Sequence, residues 1–168
     1  PATIAPGQSV NLSAKFTPDA AGAFSATATV ASDASNAQTT LSLSGTGLAA
    51  GQLACNPASK QFGNVIVGTT QSQTVTLTNS GGSSVTISRA AASGVGFHIS
   101  GITAPLTLNA SQRPTFTVTF APQAVGAVMG NVTINSDASN PTLTVPLSGI
   151  GVTASGQLTV TPTTLNLG

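Results

Sequence analysis

The side chains that could carry acid–base, nucleophilic or metal chemistry are His98, Cys55, Asp19, Asp33 and Asp137; the chain has no Glu. Catalysis needs several such groups brought together. His98 sits out of phase with Phe97 and Ile99, so it is expected to face solvent or a neighbouring unit, and no second His or nearby acid accompanies it. Cys55 has no partner for an internal disulfide. A reactive thiol needs a basic neighbour, and the nearest is Lys60, so Cys55 reads as a small core residue.

Asp33 and Asp137 occupy identical segments, Ser32–Asn36 and Ser136–Asn140, both reading Ser-Asp-Ala-Ser-Asn. These are read as Asx-type turns between the last two strands of a unit. The rival reading is a calcium ligand at a unit junction, but that ion takes about six to eight oxygens, usually from several carboxylates. The glycines of Gly45–Gly51 lack dinucleotide-fingerprint spacing, and no helical pattern follows, so they read as a strand end and linker where small residues let adjacent units approach. Sequons at Asn11, Asn109 and Asn131 are read as chance occurrences in a chain so rich in Ser and Thr, and would be surface sites if the source glycosylates. No catalytic, cofactor-binding or metal residue is assigned, and no enzyme activity or cofactor is expected.

Composition narrows the remaining classes. The 168 residues are 40% hydrophobic and only 4% charged. Ser, Thr, Ala, Gly, Asn and Gln must cover the surface. Four bases build no basic footprint, which excludes electrostatic nucleic-acid binding. The apolar runs are only a few residues long, against ~20 for a membrane span. Low net charge weakens mutual repulsion and favours association.

An internal repeat sets the organisation. At an offset of 104, residues 1–47 align without a gap on 105–151, with 19 of the 47 positions identical. Phe16 matches Phe120, Pro18 matches Pro122, and Leu43-Ser44-Gly45-Thr46-Gly47 matches Leu147-Ser148-Gly149-Ile150-Gly151. At an offset of 105, Gly51-Gln52-Leu53 matches Gly156-Gln157-Leu158, Pro57 matches Pro162 and Gly63 matches Gly168. Residues 1–47 are therefore read as the back half of one unit, 51–151 as a complete unit, and 156–168 as the first strand region of a third. Linkers of a few residues, Leu48–Ala50 and Val152–Ser155, point to a semi-rigid rod.

Within the complete unit, Ser72–Asn79 and Thr115–Phe120 alternate with period two. So do Val128–Ile134 and Leu143–Leu147, while Val85–Ile87 and Phe97–Ile99 add shorter strands. A first strand over Leu53–Val67 is expected to split near Pro57, and Asn79–Ser84 is a turn. The expected inward set is Leu53, Val75, Leu77, Val85, Ile87, Phe97, Phe116, Val118, Phe120, Val132, Ile134, Leu143, Val145 and Leu147. About seven or eight strands in ~100 residues is the density of an immunoglobulin-like antiparallel β-sandwich, here without the Cys–Trp–Cys core.

One ordered series of residues is specific to a family. It runs Gln52-Leu53 through Pro57, Phe62-Gly63-Asn64-Val65, Gly68 and Thr76-Leu77-Thr78-Asn79-Ser80-Gly81. It continues with Thr119-Phe120-Ala121-Pro122, Gly126, Ser136-Asp137 and Leu147–Gly151. The series resembles the ASH family (ASPM–SPD-2–hydin), also seen in bacterial choice-of-anchor D proteins. The resemblance implies a sandwich similar to major sperm protein and PapD-like domains, with no catalytic residues to carry over. It also implies tandem repeats in large secreted or surface proteins of bacteria.

The expected role is a structural repeat of an extracellular or surface stalk, filament or adhesin. Its partners would be other repeats of the chain or other copies of it. Residues 1–47, exposing unpaired edges and half a core, would need completion, and Leu158–Thr161 is a candidate donor strand. The alternative is an accessory module for a glycan or protein ligand. The absence of Trp and Tyr weighs against a glycan platform.

Overall fold

Thr alternating with Val and Phe gives a strand one wet face and one dry one, and two such sheets bury their dry faces against each other. The computed structural model, which describes residues 2–156 and 161, is built in this way from strands alone; the described residues contain no helix. The third-unit segment 156–168 and its Leu158–Thr161 strand therefore fall almost wholly outside the described residues. The chain divides into two units, Pro1–Ala49 and Ala50–Gly168.

The first unit contains one antiparallel hairpin, β1 (Gly22–Ala31) and β2 (Gln38–Gly47). The second holds nine strands among the described residues. They are β3 (Leu53–Asn56), β4 (Lys60–Ile66), β5 (Gln71–Asn79), β6 (Val85–Ser93), β7 (Phe97–Ser100), β8 (Leu106–Leu108), β9 (Thr115–Phe120), β10 (Gly126–Ser136) and β11 (Thr142–Val152). One sheet has the order β4-β11-β10-β6-β8 and the other β3-β5-β9-β7.

The first strand of this unit changes sheets where the sequence placed a break. β3 pairs antiparallel with β5, and beyond Pro57 the chain crosses over so that β4 pairs parallel with β11, Leu147 opposite Lys60 and Gly151 opposite Val65. Counted once, the split strand leaves eight, one more than the seven segments read from the alternation and within the expected seven or eight. The strand missing from the sequence reading is β8, whose three residues are too few to show a period.

Thirteen of the fourteen expected core residues are buried. Leu143 is only partly buried, packed against the edge of the core near the β10–β11 loop. Phe62, Val65, Leu108 and Ala138 join the core as well. Phe97 and Phe120 stack with centroids 4.6 Å apart, and Phe62 from the opposite sheet packs at 5.7 and 5.8 Å from them. Gly149 stands where a side chain would collide with the Phe120 ring. The same relation recurs in the first unit, where a Cβ on Gly45 would lie 2.8 Å from Phe16.

Among the described residues the one buried polar side chain is Asn79. Its Oδ1 accepts from the Gln52 and Gly81 amides at 3.2 and 3.1 Å. Its Nδ2 donates to the Ser83 and Leu108 carbonyls at 2.8 and 3.1 Å. The side chain ties the start of β3, the turn after β5 and the end of β8 into one knot. Asn79→Ala would leave these backbone groups short of partners, and each such buried loss costs about 1–3 kcal/mol. We expect Asn79→Ala to lower stability to urea by at least ~3 kcal/mol, and Asn79→Asp, which cannot donate, to rescue little of it.

Candidate functional site

The recurring Ser-Asp-Ala-Ser-Asn loop is where the polar groups of this protein do most work. Between β10 and β11, Ser136 makes the local turn, its Oγ accepting from the Ala138 amide at 3.3 Å. Asp137 does not close an Asx turn, contrary to expectation. Its Oδ1 reaches across to accept from the Thr86 amide of β6 at 2.7 Å, while its own amide donates to the Thr86 carbonyl at 3.2 Å. The short loop lets serine, with its nearer hydroxyl, take the local bond and frees the carboxylate for β6.

The next residues bind the first strand. The Ser139 amide donates to the Gly51 carbonyl at 2.8 Å. Asn140 grips Leu53 from both sides, accepting from its amide at 2.9 Å and donating to its carbonyl at 2.8 Å. A loop of the five-stranded sheet thus clasps a strand of the four-stranded one. This is a clamp for backbone, and it carries no sequence preference beyond fit.

The same five residues in the first unit, Ser32–Asn36, are all exposed. The Ser32 Oγ accepts from the Ala34 amide, and Asn36 Nδ2 donates to Thr39 Oγ1, both at 3.3 Å. Around that hairpin lies an open cleft of ≈ 430 Å³ lined by Phe16, Phe24, Ala26, Leu43 and Gly45 among others. Phe16 and Phe24 meet edge-on at 5.7 Å.

The other singled-out residues stay apart. His98 is exposed on β7, opposite Thr119. Among the described residues no three of His, Cys, Asp and Glu come together as metal ligands. Cys55 is half-buried rather than fully buried, and burial pushes its thiol up to about 11. Asn11, Asn109 and Asn131 are all exposed. Gly51 is buried, and its missing side chain makes room for Val85 and the Ser83–Ser84 backbone of its own unit. Gly51 thus has a packing role inside its own fold. Asn79 and Asn140 escaped the sequence reading as fasteners, because both stand in segments whose composition already spells turn.

Asn140→Ala should destabilise the second unit by about 1–2 kcal/mol in urea melts, because both Leu53 backbone groups lose a partner. At pH 8 a thiol with its pKa near 11 is ~0.1% ionised, so we expect iodoacetamide to label native Cys55 at least ~100-fold more slowly than the urea-unfolded chain. The fold keeps this proton while the unfolded chain loses it, so stability should fall as pH rises from 9.0 toward 11, and Cys55→Ser should flatten that fall.

No curated protein matches the chain. Among solved structures it is similar to the ASH / PapD-like domain 7 of human CEP192, at 16% identity over 63% of this chain and 89% of that one, with a TM-score of 0.46. A protein of unknown function from Porphyromonas gingivalis W83 matches at 10% identity over 80% of this chain and 68% of that one, with a TM-score of 0.53. SSP-19, an MSP-domain-like protein of Caenorhabditis elegans, matches at 17% identity over 58% of this chain and 98% of that one, with a TM-score of 0.38. The family model for Cep192 domain 4 matches residues 50–152, more than half of the chain. The resemblance to ASH domains read from the ordered residue series holds in that match, and the chain belongs to the Cep192 domain 4 family.

Proposed function

We propose that this chain is a non-catalytic structural segment of a large bacterial surface or secreted protein, where repeats of this type form a semi-rigid stalk, filament or adhesin. The observation that carries this reading is the internal repeat. The same core-facing pattern returns at a fixed spacing, with only Leu48–Ala50 between the end of one match and the start of the next. A sandwich whose polar residues fasten strands to one another suits load-bearing and packing better than chemistry. The uncharged, Ser/Thr/Gly-rich surface supports a protein that lives assembled or tethered. Its partners are then other repeats, in the same chain or in other copies, and one route is a strand given by one copy to another.

Negative-stain micrographs and small-angle scattering of the full-length source protein test this reading. We expect slender particles with an axial period of one or two sandwiches, and surface labelling of intact cells by an antibody to the second unit. A compact globular particle confined to the cell interior would remove the stalk. A glycan-array signal abolished by loop substitutions would move the function to ligand binding.

A further inference from the structure

The two units carry the same inward pattern under different cover. Phe120, Phe116, Val145 and Ile134 are 0–2% exposed in the second unit. Their counterparts at the 104 offset are Phe16, Leu12, Leu41 and Val30, which are 50%, 76%, 61% and 45% exposed. The second unit also displays what covers such a face: β3 to β7 and their turns lie over it, held by the loop clasp and by the parallel pairing of β4 on β11. Every anchor of that arrangement that lies on the back half exists again in the first unit. Asn36 stands for Asn140, Asp33 for Asp137, and the edge Leu43–Gly47 for Leu147–Gly151.

One place differs. In the second unit the Phe97 ring stacks on Phe120 and fills space above Gly130, where a Cβ would lie 2.8 Å from that ring and 2.2 Å from the Ser93 carbonyl oxygen. The first unit has Ala26 at that position, and its Phe24 already lies against Phe16 where the second unit has Val128 opposite Gly149.

We infer that the bare face of the first unit is the seat for the front half of a further repeat of this family, one with a small side chain where the second unit has Phe97 and with its backbone set back from Ala26 at the position of Ser93. Asn36 grips the backbone of its first strand at the position of Leu53. Asp33 accepts from the amide at the position of Thr86. The strand after the sheet switch adds parallel to β2, with the positions of Lys60, Gln61, Asn64 and Val65 opposite Leu43, Ser44, Thr46 and Gly47, as in the second unit. A repeat front half matches this seat where a generic apolar partner does not, because the clasp needs exposed backbone in one register and the cleft needs inward side chains at alternate positions. This pairing applies whether the protein is a surface stalk or an internal scaffold.

The test places a second copy of residues 50–104 directly before Pro1, once unchanged and once with Phe97→Ala in the added copy. Hydrogen exchange of the β1–β2 amides is read, with the second unit as internal reference. We expect at least ~10-fold more protection in the Phe97→Ala fusion than in the unfused chain, less in the unchanged fusion, and loss of most of the gain on Asn36→Ala. Against misfolding of the added segment, a synthetic peptide of residues 51–67 titrated onto the unfused chain should shift the Asn36 side-chain amide resonances, and a scrambled peptide should not. Unaltered exchange in both fusions together with no peptide shift overturns the inference. Protection that grows with concentration in the unfused chain overturns it too, because the seat would then belong to a second copy.

Discussion

A buried amide with four hydrogen-bonding demands governs how the second unit is assembled. Apolar side chains such as Val75 or Val132 are content in any dry place, since burial is non-directional. Asn79 is not, because each unmet bond would cost a substantial part of a small domain's stability. Meeting all four demands requires Gln52, Gly81, Ser83 and Leu108 in one arrangement. That arrangement fixes where β3 begins and how tightly the chain turns after β5. It also fixes where β8 stops. Once β3 is placed, the crossing at Pro57 delivers β4 to the opposite sheet and brings Phe62 over the Phe97–Phe120 stack.

The second fastening lies in the β10–β11 loop. Asp137, Ser139 and Asn140 each bond backbone that is distant in sequence. Together with Asn79 they stitch both sheets to the first strand at one end of the sandwich. In the second unit the side chains of Asn79, Asp137 and Asn140 all hold strands together.

Comparison of the two units separates pattern from cover. The alternation that points Leu12, Phe16, Val30 and Leu41 inward is as clear as the one that points Phe116, Phe120, Ile134 and Val145 inward. Only the second set is dry. The stretch Asn11–Phe16 also forms no strand, although its counterpart Thr115–Phe120 is β9. A strand needs neighbours to satisfy its amides and carbonyls, and β9 has β5 and β7 on its two sides.

The sequence by itself determined the class, the repeat and most of the core. Period-two alternation maps directly onto the two faces of a strand, so Val118 or Ile134 can be placed inward without knowing what lies opposite. The split near Pro57 and the turn after Asn79 were equally legible, because glycine, serine and proline act on the local backbone. Tertiary structure alone decided the roles of Asn79, Asp137 and Asn140, whose partners lie up to 87 residues away in the chain. It also decided that Cys55 stays half-buried and that Phe16 stays uncovered. Spacing along a chain encodes which way a side chain points, whereas what it meets depends on strands brought from elsewhere by the whole fold.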